Sequence, residues 1–202
     1  MTTPLEALSF LSHQEPTPAY FVSFHEEINR EKNDRGAAVL LGCHIELCLR
    51  YAIRNNLSQL ENIQKLLFRS VGPLRSFEAK IRLGYGLGLF GPETKNNLDC
   101  IKGIRNAFAH AIIPITFDTP EVASVCRMMT MPEILPPRAI DPETFEPRGV
   151  LNMAPRPAPR EIFQKICEAT SHNLFVMGRV ISRRSPSDPQ YESSGRRHGP
   201  LP

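Results

Sequence analysis

Long apolar runs are missing from this chain. No window approaches the ~20 apolar residues that a membrane-crossing helix needs, so no membrane span is expected. No basic stretch followed by an apolar run opens the sequence, which predicts no secretory leader. The five cysteines, Cys43, Cys48, Cys100, Cys126 and Cys167, are odd in number, and no pair has C-x-x-C spacing. That pattern predicts reduced core thiols in a cytoplasmic protein rather than a disulfide framework. His44 and Cys48 lie four apart with Cys43 beside them, fewer ligands than a metal needs, so neither a metal nor a cofactor is expected. Excess charge is also lacking. A net charge of +3 is too small to argue for nucleic acid by itself.

What the chain does have is helical periodicity, and it predicts an all-α, compact helical bundle of about six to seven helices. Thr17-Pro18 offers an N-cap and a first-turn proline for a helix from Ala19 to Glu31, with Phe21, Phe24 and Ile28 on its apolar side. Asn33 and Asp34 can cap a second helix reaching Asn55. Its stripe of Ala37, Leu41, Ile45, Cys48 and Ala52 is widened by Leu40, Leu47 and Leu49, which marks a central helix. A short helix covers Gln59 to Phe68, and Gly72-Pro73 breaks the chain.

Ser76 caps the next helix, with Phe77, Ile81, Tyr85 and Gly88 on one stripe. Another runs from Pro92 to Ala111, with Leu98, Ile101, Ile104, Phe108 and Ile112 at spacings of three and four, and Pro114 ends it. Thr119-Pro120 opens a helix through Met129. The only strand signal, Ile112 to Phe117, is short and holds a proline.

Eight of the 29 residues from 132 to 160 are proline, which predicts an extended crossing segment over residues 131–158. Pro159 then starts a long last helix to Ser182, with Phe163, Ile166, Thr170, Leu174, Met177 and Ile181 as its stripe. The expected organisation is an arm over 1–17, a helical domain over 18–182 and a disordered tail over 183–202.

Two motifs suggest chemistry. Gly86-Leu87-Gly88-Leu89-Phe90-Gly91 matches G-x-G-x-x-G, but that loop needs a strand leading in. An amphipathic helix leads in here, so packing is expected instead, with Gly84 and Gly88 admitting a neighbouring helix.

The second motif is Arg105-Asn106-Ala107-Phe108-Ala109-His110. It sets a fixed cation near the side chain that titrates around neutral pH. Arg105 would stabilise charge on a phosphate, Asn106 would orient the imidazole, and His110 would act as general base or acid, a set that suits metal-independent RNA cleavage. Helix geometry opposes this within one chain, since residues five apart point about 140° away from each other. The structural alternative is a helix end with His110 near the C-terminal dipole and Arg105 bonded to Asp34, Glu46 or Asp99.

An ordered set of segments resembles the mannitol operon repressor family of bacteria. The segments are Asn33-Asp34-Arg35-Gly36-Ala37-Ala38, Gly72-Pro73-Leu74, Ser76-Phe77, Ala79-Lys80-Ile81, Tyr85-Gly86-Leu87-Gly88, Ile104 to His110, Thr116-Phe117-Asp118 and Pro120-Glu121. The resemblance spans Asn33 to Met129 and implies an all-helical regulator that acts through protein partners. The Arg, four residues, His pattern also looks like the signature of the HEPN superfamily, helical and often dimeric domains, many of them metal-independent ribonucleases. Carried over by position, that signature falls on Arg105, Asn106 and His110, with Asp34, Glu46 and Lys80 as supporting candidates.

The first expectation is therefore a cytoplasmic regulatory protein working through protein contacts. The alternative is a HEPN-type endoribonuclease of a toxin–antitoxin or defence system, with RNA as its partner. A homodimer through helices that include Asn33–Asn55 or Pro92–Ala111 is expected. Direct sequence-specific DNA binding is disfavoured, because no helix concentrates Lys and Arg at readout spacing.

Overall fold

The computed structural model describes residues 15–57, 61–69, 71–133 and 157–182, together with Pro4. Among these the chain is all-α, with seven helices and no strand. They are α1 Pro18–Arg30, α2 Asp34–Asn56, α3 Glu61–Phe68, α4 Phe77–Gly86, α5 Pro92–His110, α6 Pro120–Met128 and α7 Pro159–Ser182. The arm up to Gln14, the crossing segment between 134 and 156, and the tail from 183 lie outside the described residues.

Local sequence sets the helix starts. The Thr17 side chain accepts from Tyr20 N at 3.1 Å, Asn33 from Gly36 N at 3.1 Å and Ser76 from Ala79 N at 3.1 Å. Helix α5 begins differently, because its cap residue Gly91 has no side chain. A carboxylate remote in sequence does the work: Glu133 accepts from Glu93 N at 2.7 Å, from Thr94 N at 2.9 Å and from the Thr94 hydroxyl. Negative charge there also suits the positive end of the helix dipole.

Helix α2 is the axis of the bundle. Its most extensive packing is on α7, followed by α5 and α4, while α1 lies lightly against it. By length and composition alone α2 would pass as a membrane span, contrary to the expectation that no window comes close. The reason is its position. Neighbours on several sides bury Ala37, Leu41, Ile45, Cys48, Leu49, Ala52 and Ile53, so it is apolar over most of its circumference. Phe108, Phe117 and Phe163 join α5, the following loop and α7 in one aromatic run, with centroids 5.0 and 5.2 Å apart.

Several expectations need correction. Helix α4 ends at Gly86, so Tyr85 is exposed and Gly88 lies beyond the stripe. Gly88 is a turn glycine with φ 68° and no atom near an added Cβ, so it admits no neighbouring helix. Gly84 does serve close packing: a Cβ there would lie 2.7 Å from the Phe90 ring. Helix α5 ends at His110, four residues before Pro114, and Ile112 is fully exposed instead of continuing the buried stripe. Ile181 has no described side-chain environment, but Phe163, Ile166, Thr170, Leu174 and Met177 are buried as the periodicity of α7 requires.

Candidate functional site

The inner face of α5 carries Arg105 toward α2 and α4. A mid-helix glycine makes room for it. A Cβ on Gly42 would lie 2.5 Å from Arg105 Cγ and 2.7 Å from its Cβ, so the arginine stem lies directly on the α2 backbone. The guanidinium then reaches Glu46, one turn further along α2, with Nη2 3.1 Å from Oε2. Its other face is covered by Phe77, with Cζ 5.5 Å from the ring centroid.

Glu46 is shared. Its Oε1 accepts from Lys80 Nζ at 2.5 Å, and Lys80 also donates to the Arg75 carbonyl at 3.2 Å. The Lys80 side chain is only 8% exposed, and Glu46 is the carboxylate that faces it there. Arg105 Nε is buried without an acceptor. Two cations around one carboxylate leave the cluster with a net charge of +1.

The sequence-predicted residues separate into three places. Arg105, Glu46 and Lys80 come together. Asn106 and His110 are exposed on a different side of α5, and among the described residues neither side chain makes a hydrogen bond or ion pair. Asp34 stands at the start of α2, where it accepts from Phe117 N at 2.9 Å and pairs with Arg160 at 2.8 Å. Asp99, the other carboxylate weighed for Arg105, is bound to Lys95 and Lys102. One chain therefore does not assemble Arg105 and His110 around a common point, as the helical offset predicts.

Phe77 and Gly42 were not singled out in the sequence as parts of this cluster. A glycine inside a 23-residue helix is the readable signal, because glycine costs about 1 kcal/mol there unless close packing requires it. Cys43, next to Gly42, is exposed, which corrects the expectation that every thiol is in the core. Partial burial pushes its thiol pKa up, and Arg105 nearby pulls in the opposite direction.

His44 forms a second polar feature on the other side of α2. Its Nδ1 lies 3.0 Å from the Tyr20 hydroxyl and its Nε2 3.8 Å from Cys48 Sγ. Among the described residues there is no group of three or more His, Cys, Asp or Glu placed to hold a metal ion.

No protein-family model, curated protein or solved structure matches this chain.

Proposed function

We propose that this protein is a non-enzymatic regulator of the mannitol operon repressor type, acting through protein contacts. The observation that carries the reading is the commitment of Arg105 to Glu46 and Phe77, with His110 left outside that cluster. An arginine held this way fastens α5 to α2 and α4 and is not free to follow a reacting phosphate. A contact surface is at hand beside it: Ile112 is fully exposed and Ile113 is 70% exposed, one residue beyond the exposed Ala109 and His110.

The second reading, a HEPN-type ribonuclease, draws on one observation. Asn106 and His110 share an exposed stripe of α5, so a second copy of the chain could bring two such stripes face to face. Incubation of the purified protein with total RNA, with and without chelator, separates the two. The regulator reading expects intact RNA and a light-scattering mass of twice 22.7 kDa or a complex with another protein. RNA cleavage that disappears in His110→Ala overturns it.

A further inference from the structure

Helices α1 and α7 run antiparallel and approach each other through Phe21 and Phe175, through His25 and Glu168 and, just past the end of α1, through Arg160. At one end the rings of Phe21 and Phe175 meet with centroids 4.6 Å apart. At the other, Arg160 donates to the carbonyls of Glu31 and Lys32, the latter at 2.8 Å. Between the first and last of these contacts the two helices flank α2 and leave a groove of about 640 Å³. Its buried lining is apolar and aromatic: Phe24, Ile28, Leu41 and His44, which stacks on Phe24. The α7 wall runs from Glu161 to His172, about 16 Å of helix.

These dimensions decide the size of the occupant. The volume falls within the roughly 300–1,000 Å³ of small-molecule sites.

The rim decides the charge. Among the described residues, three carboxylates line the groove: Glu26, Glu161 and Glu168. Glu26 is paired with Arg30 at 3.2 Å, and Glu161 with Lys165 at 2.7 Å. Among the described residues, the only ion-pair partner of Glu168 is His25, 3.8 Å away across the mouth, which is charged only when protonated. A carboxylate without a permanent cation, 66% exposed, thus stands at the rim of an apolar and aromatic groove.

We infer that this groove binds a small organic cation, an amine carried on a flat apolar body, with the body against Phe24, Ile28 and Leu41 and the amine on Glu168. This goes beyond the regulator reading and does not depend on it.

The test uses one aromatic body with three head groups: 1-naphthylmethylamine, 1-naphthylmethanol and 1-naphthylacetate, each titrated into the full chain by calorimetry. The amine saturates and binds about tenfold tighter than the alcohol, the size of one charge-assisted hydrogen bond, and the acetate binds weakest. Glu168→Gln brings the amine to the level of the alcohol and leaves the alcohol unchanged. Gln164→Trp, which fills the groove from its half-buried wall, removes binding of both while the circular dichroism spectrum is retained. Equal binding of the three heads overturns the inference. So does a preference for the amine that survives Glu168→Gln. Absence of saturable binding also overturns it, and means that another part of the chain or another partner fills the groove.

Discussion

The imidazole of His44 lies flat on the ring of Phe24, with centroids 4.0 Å apart and planes 16° apart. Phe21 closes it edge-on at 5.3 Å, and Tyr20 and Cys48 hold its two nitrogens. Among the described residues, no carboxylate makes a hydrogen bond or ion pair with it. Burial therefore pushes its pKa down to about 4. The ordinary value is about 6.5, so between these two the unfolded chain takes up the proton and the folded one does not. Stability from this site is complete above about pH 6.5 and is lost as pH falls toward 4, by roughly 3 kcal/mol in total. Urea denaturation of wild type and His44→Gln at neutral pH and near pH 4.5 measures this. The variant is less stable at neutral pH and loses less on acidification.

Glu46 holds two cations, and removing it leaves both without a counter-charge. Glu46→Ala lowers stability by about 3 kcal/mol, because Lys80 is left buried and unpaired. Replacing Lys80 by Met in the same chain restores more than half of the loss. Chemical denaturation of the two single variants and the double variant gives the coupling directly. Independent, additive losses would contradict the shared-carboxylate description.

Two helical glycines respond in opposite directions. Gly42→Ala forces a methyl group into the Arg105 stem and destabilises by about 1–3 kcal/mol. Gly103 has open space where a Cβ would go, so Gly103→Ala stabilises by about 0.5–1 kcal/mol. Thermal unfolding of both variants compares them.

Cys43 is the one exposed cysteine among the five, all of which are described. A thiol-exchange reagent at mildly alkaline pH modifies one equivalent in the native protein and five after denaturation. Cys43→Ser abolishes the native reaction. The rate is slower than that of a free thiol, since burial holds the Cys43 pKa up.

The apolar stripes of α1, α2 and α7 and the caps Thr17, Asn33 and Ser76 were legible because they are short-range signals. A cap bonds an amide three residues away, and a stripe repeats every turn. Chain positions beyond a helix end were less legible. Ile112 fits the α5 repeat in spacing, yet the helix stops at His110 and turns the side chain to solvent. The start of α5 could not be read locally, since its cap is Glu133, 40 residues away.

The candidate site divides along the same line. Arg105 and His110 were visible as a pair in the sequence, and helical geometry already set them on different sides of α5. Glu46, Asp34 and Asp99 all suited Arg105 equally by residue type. Only the packing of α5 on Gly42 decided for Glu46, because that glycine brings the arginine stem against α2 one turn before the carboxylate. The amino-acid sequence by itself determined the helices, their apolar faces and most of their starts, through dihedral preferences and bonds over a few residues. Tertiary structure decided which charges meet, which isoleucines stay exposed and where α1 and α7 part to open a groove, because those depend on how separate helices cross.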